Sequence, residues 1–152
     1  MDMKSGWMEK RQSERVDATI KVTYFTIQKE ELVASLADPA YQTSTADHLP
    51  ELSKRSATLH AITRDISIGG MSLVGQEAFP EECALQIQLY LPGQPIPLNL
   101  LAEVVRAVQE SNSSTGNTFR AGIKILALNK QDVAKLDRFL LAEKIRLRNA
   151  GK

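Results

Sequence analysis

The chain carries 152 residues, 43% apolar and 24% charged, the balance of a single ordinary globular domain. Its formal net charge of +1 excludes a global attraction toward nucleic acid or an anionic membrane, so any bound anion must be held by local charge. A lone cysteine, Cys83, rules out an intrachain disulfide and argues against a cysteine-based metal site.

The opening residues lack the apolar run of a signal peptide, and no stretch approaches the roughly 20 apolar residues of a membrane span. A cytoplasmic protein without metal or cofactor is expected. Residues 1–9 read as a flexible tail and residues 10–152 as the domain. From Val16 the pattern alternates: Val16, Ala18, Ile20, Val22 and Tyr24 share one face, with Asp17, Thr19, Lys21 and Thr23 on the other. A period of two in a β-branched stretch predicts a half-buried strand, and the phase shift at Phe25 and Ile27 marks a bulge or its end. "KEELVASLADP" then predicts a short helix with Leu32 and Leu36 on one face, stopping before Pro39. With the polar stretch that follows, it forms an insertion over residues 28–56, long for a connection in a compact domain.

"ATLHAITRDI" alternates weakly, and a strand resumes over Met71–Val74. The Gly69-Gly70 pair between them marks a tight reversal or a close backbone approach. "CALQIQLYLPG" sets Leu85, Ile87, Leu89 and Leu91 against Gln86, Gln88 and Tyr90, closed by Pro92-Gly93. "IPLNLLAEVVRAVQE" and "FRAGIKILAL" supply two more strands around the polar hairpin loop "SNSSTGNT". About six strands, mostly joined by short turns, predict an antiparallel barrel or sandwich rather than βαβ units. A C-terminal helix is predicted over about 130–148, with Asn129 as its cap and Asp132 near the positive end of its dipole. Val133, Leu136, Leu140 and Leu147 recur at helical spacing, Phe139 and Leu141 widen that stripe, and Arg146 and Arg148 lie in the last turn.

Two short stretches carry chemistry. "KRQSERVDATIKVTYF" places Arg11 and Arg15 four apart at the threshold of the first strand. By spacing alone they are either solvated tail residues or a paired guanidinium clamp. "DISIGG" makes an Asp-x-Ser-x-x-Gly of Asp65, Ser67 and Gly70. On a strand, Asp65 and Ser67 would point to one face, a carboxylate and a hydroxyl facing a polar heterocycle. Equally, an Asp and a Ser here would serve to bond the amides of a turn.

The two motifs in this order, around a strand-rich chain, resemble the PilZ domain family. The likeness continues through "LQIQLYLPG", "LLAEVVRAV", "FRAGIKIL" and the terminal "QDVAKLDRFLLAEK", covering most of residues 10–142 apart from the insertion. It implies a mainly β fold: a six-stranded antiparallel β-barrel with a C-terminal helix. It also implies a bacterial receptor for cyclic di-GMP, held by Arg11, Arg15, Asp65, Ser67 and Gly70. Lys10 stands just before Arg11, where many members carry another arginine; Lys10, Gly69 and Arg106 are the further candidate contacts. The ligand's chemistry accounts for these residue types. A guanidinium bonds a phosphate or the guanine O6/N7 edge bidentately and stacks flat on a base, which an ammonium does not. Asp65 complements the guanine N1–H and N2–H donors.

Other residues weigh less. Arg106 lies on a strand where an arginine is more often solvated than bound. Arg64 would point away from Asp65 on a regular strand. His48 and His60 have no ligand-spaced partner, and Asp47-His48 has no nucleophile motif beside it. The basic "KIRLRNAGK" is balanced by preceding acids. No catalytic constellation is present, so a non-enzymatic receptor is expected. It would act through a protein partner in motility, pilus, biofilm or other regulatory machinery, or through its own oligomeric state, such as a homodimer. The competing reading is a PilZ-like protein–protein adaptor that binds no nucleotide. A barrel for single-stranded nucleic acid lacks the stacked aromatics and basic groove it would need.

Overall fold

The alternation that begins at Val16 produces two strands rather than one. In a computed structural model, which describes residues 15–37, 52–81, 83–112 and 116–150, β1 is Val16–Asp17 and β2 is Lys21–Ile27. The interruption has a specific cause. The buried Thr63 hydroxyl accepts from Ile20 N at 2.8 Å and donates to the Ala18 carbonyl at 2.6 Å, occupying backbone groups that a continuous ladder would pair. The inward face was read correctly, since Val16, Ile20, Val22 and Tyr24 all lie in the main core with Ala18 packed on it.

The remaining elements are α1 (Lys29–Ala37), β3 (Leu59–Ile66), β4 (Gly70–Gly75), β5 (Ala84–Leu89), β6 (Leu98–Asn112), β7 (Gly116–Leu128) and α2 (Lys130–Ala150). All pairings are antiparallel, in the order β3-β2-β5-β6-β7-β4, and β4 pairs back with β3. That closes a six-stranded barrel; β1 is the detached start of β2, pairing with the same neighbour. Closure leaves no open sheet edge among these six strands.

Inside, Met71, Leu73, Ile87, Leu89, Leu100 and Ile123 fill the barrel, and Tyr24 stacks on Phe79 with ring centroids 5.4 Å apart. Tyr24 is 1% exposed and its hydroxyl has no hydrogen-bond partner among the described residues. Burial, with a smaller contribution from the charge of Glu77, pushes its phenol up to about 12.

α1 covers the outside of the barrel, where Leu32 packs with Ile27, Ala84, Leu101 and Ala127 in a second cluster. Ser53 N donates to Glu31 at 3.0 Å and Arg55 N to the Thr26 carbonyl at 2.8 Å, tying the far end of the insertion to the barrel. The middle of that insertion (38–51), the tail with Lys10 and Arg11, and residues 113–115 of the hairpin loop lie outside the described residues. α2 starts as expected, with Asn129 Oδ1 accepting from Asp132 N at 3.0 Å. Its buried stripe is narrower than the sequence suggests. Leu136 and Leu140 enter the core, whereas Val133, Leu141 and Leu147 stay 39%, 61% and 40% exposed.

Candidate ligand-binding site

Four outward-facing positions line up across four adjacent strands. Asp65 on β3 pairs with Ser72 on β4, Ser72 with Gly122 on β7, and Gly122 with Arg106 on β6. Two bulges create this row. One, between Thr63 and Asp65, turns both Arg64 and Asp65 outward after the inward Thr63; the other, between Val104 and Arg106, does the same for Val105 and Arg106. Without either bulge, one end of the row would face the core. Gly122 at its centre leaves the sheet surface bare between a carboxylate and a guanidinium, as a strand glycine does where a ligand approaches closely.

Arg15 closes the row from the front of β1. Its Nη1 donates to Asp65 Oδ1 at 2.7 Å and lies 3.5 Å from Ser72 Oγ. Arg15, Asp65, Ser72, Arg106, Val108, Arg120 and Gly122 line a cavity of about 240 Å³. Three guanidiniums against one carboxylate gather positive charge there, in a chain whose total is only +1. A larger groove of about 540 Å³ lies further along the same strands around His60, Ile62, Val74 and Thr118, but it has no convergent set of arginines.

The motif residues behave differently from one another. Asp65 presents its carboxylate to the cavity. Ser67 is buried at 1% exposure, past the end of β3, so it does not share a face with Asp65 as regular strand spacing would have it. Its Oγ accepts from Gly69 N at 3.3 Å and Gly70 N at 3.1 Å, and lies 3.2 Å from the Gly70 carbonyl to which it donates. Gly70 begins β4 so close to β7 that a Cβ there would collide with the Ile123 carbonyl oxygen, while Arg15 Nη2 would lie 3.7 Å from it. The turn that Ser67 holds therefore seats the surface over which Arg15 lies.

Arg106 stands at the cavity, on the side of the barrel that carries Asp65. Arg64 shares the outward direction of Asp65 because of the bulge, and its guanidinium lies 3.9 Å from Glu110 Oε1. Sequence reasoning missed Ser72, Val108, Gly122 and Arg120. Only Gly122, a lone glycine inside a strong strand pattern, left a readable signal. Among the described residues no group of three or more His, Cys, Asp or Glu could hold a metal ion, and no helix is long and apolar enough to cross a membrane.

A family model described as "PilZ domain" matches residues 44–142, which include Asp65, Ser67, Gly70 and Arg106; Arg11 and Arg15 precede the matched stretch. No curated protein matches the sequence significantly. Among solved structures, the PilZ domain of YcgR from Escherichia coli, determined with c-di-GMP, is similar at a TM-score of 0.53 and 16% identity. The alignment covers 91% of this chain and 94% of that one. The inhibitor of motility MotI/DgrA from Bacillus subtilis is similar at a TM-score of 0.53 and 16% identity, over 89% of this chain and 50% of that chain. At these identities the likeness is one of fold.

Proposed function

The chain belongs to the PilZ domain family, and from that premise we propose that it is a non-enzymatic receptor for cyclic di-GMP that passes the binding event to a protein partner or to its own assembly. The observation that carries this reading is the cross-strand row from Asp65 to Arg106 with Arg15 laid against its acidic end. The ligand offers guanine donors for the carboxylate, and phosphodiester oxygens and guanine O6/N7 acceptors for the guanidiniums. The YcgR structure holding c-di-GMP and the motility inhibitor MotI support the ligand class and a role in motility or surface behaviour.

Arg15 and Asp65 satisfy one another in this structure, and the ligand must part or re-aim them. That costs little: the pair is 41% and 21% exposed at its two side chains, and such surface pairs contribute about 0–1 kcal/mol. Asp65 is then open to the N1–H and N2–H edge of guanine, and Arg15 to the O6/N7 edge or the base face. Arg11, four residues earlier, and Lys10 are proposed to add charge from the N-terminal side. Ser67, Gly69 and Gly70 serve by shaping the turn beneath Arg15.

The reading is tested by equilibrium binding of cyclic di-GMP to the wild-type chain and to Arg15→Ala and Asp65→Ala. Each variant removes one charge-assisted contact of about 1.5–3 kcal/mol and should bind roughly 10- to 150-fold more weakly. Equal affinity in all three proteins would overturn the assigned roles.

A further inference from the structure

Resting on the receptor reading, we propose that Arg120 is a further contact for the dinucleotide and that Glu110 is its internal counter-ion, given up when a phosphodiester enters the cleft. Arg120 faces outward from β7, opposite Val108 on β6 and Val74 on β4, one outward row beyond Gly122 and Arg106. It therefore lines the cavity next to Arg106, across the bare surface of Gly122 from Asp65 and Arg15.

The ion pairing around Arg120 is loose. Its Nε lies 3.5 Å from Glu110 Oε1, and Arg64 Nη1 approaches the same oxygen at 3.9 Å. Charge-assisted hydrogen bonds run at about 2.7–2.9 Å, so neither contact is one. The oxygen is buried and has no hydrogen-bond partner among the described residues. Two cations thus share a single carboxylate oxygen at long range. A phosphodiester in the cleft has two unesterified oxygens that fit the fork of Arg120, and Arg64 remains to neutralise Glu110 when Arg120 leaves. Arg106 has no ion pair among the described residues and faces the same space, so the ligand's second charged edge would meet two guanidiniums. Glu110 holds Arg120 aimed while the site is empty and competes for it when the site fills.

The test is a double-mutant cycle on cyclic di-GMP affinity, with the melting temperature of each variant checking the fold. Arg120→Gln is expected to weaken binding about tenfold or more and to flatten its dependence on salt. Glu110→Gln is expected to strengthen it roughly two- to fivefold, the scale of a part-exposed ion pair. That gain should disappear in the Arg120→Gln background. Unchanged affinity in Arg120→Gln, with Arg15→Ala weakened, would overturn the subsite and leave the receptor reading standing. A gain from Glu110→Gln that survives without Arg120 would overturn the counter-ion role. Should the wild-type chain not bind cyclic di-GMP at all, the receptor reading fails. The subsite is then judged by titrating inorganic pyrophosphate against the arginine Nε–Hε signals in nitrogen-15 NMR. A saturable shift at Arg120 supports it, and no shift there refutes it.

Discussion

Gly70 is the residue at which backbone packing and the proposed ligand site make the same demand. A Cβ at this position meets the Ile123 carbonyl oxygen of β7 and stands 3.7 Å from Arg15 Nη2. Gly70→Ala is expected to lose about 1–3 kcal/mol in urea unfolding, because backbone must move to relieve the collision, and to weaken cyclic di-GMP binding as Arg15 is displaced. Tyr24 gives an independent check on the barrel interior. Its folded-state phenol is raised from 10.0 to about 12, so the folded protein holds that proton more tightly than the unfolded chain. The stability linked to it is complete below pH 10.0 and is lost as pH rises toward about 12, by up to about 2–3 kcal/mol. Tyr24→Phe should remove that part of the alkaline decline and, by deleting a buried hydroxyl without a partner, add about 1 kcal/mol below pH 10. Urea unfolding across this pH range, comparing the two proteins, measures both effects.

The turn between β3 and β4 and the two bulges shape the barrel surface of the proposed site. Ser67 satisfies the amides of Gly69 and Gly70 from inside the fold, so Ser67→Ala leaves those groups short of an acceptor and should cost about 1–3 kcal/mol of stability. Affinity should fall with it. Thermal unfolding together with a binding curve separates this from a surface contact, whose loss would lower affinity alone. The element scale also marks where the sequence stops being legible. Alternation identified the inward faces of the β2 and β5 regions, and the Gly69-Gly70 pair marked the reversal into β4, because these features are written in neighbouring residues. The split of β1 from β2 was not legible, since Thr63, more than forty positions away, supplies the bonds that break the ladder. The bulges were not legible either. A strand read with period two places Arg64 opposite Asp65 and leaves Arg106 between a solvated and a ligand-facing reading, yet a single extra residue in each strand sets both.

Over the whole molecule, a near-neutral chain concentrates guanidiniums where four strands of a closed barrel lie side by side. Barrel closure brings β4 against β7, and with it Asp65 and Ser72 to the same surface as Arg106 and Arg120. No local pattern records that contact, so motifs in the sequence point to Arg15, Asp65 and Gly70 as candidates, whereas only the fold brings Ser72, Gly122 and Arg120 beside Asp65. The same motif names Ser67, whose hydroxyl turns inward to the turn amides. The central claim is that this surface recognises a guanine dinucleotide through Asp65 and its arginines. Calorimetric titration of the wild-type chain with cyclic di-GMP, alongside cyclic di-AMP, tests it most directly. The account predicts saturable binding of cyclic di-GMP at tens of micromolar or tighter, and cyclic di-AMP about tenfold or more weaker, because adenine lacks the N1–H and N2–H donors that Asp65 accepts. No binding of cyclic di-GMP would contradict the receptor reading in favour of a protein-binding adaptor, and equal affinity for the two would contradict the role of Asp65.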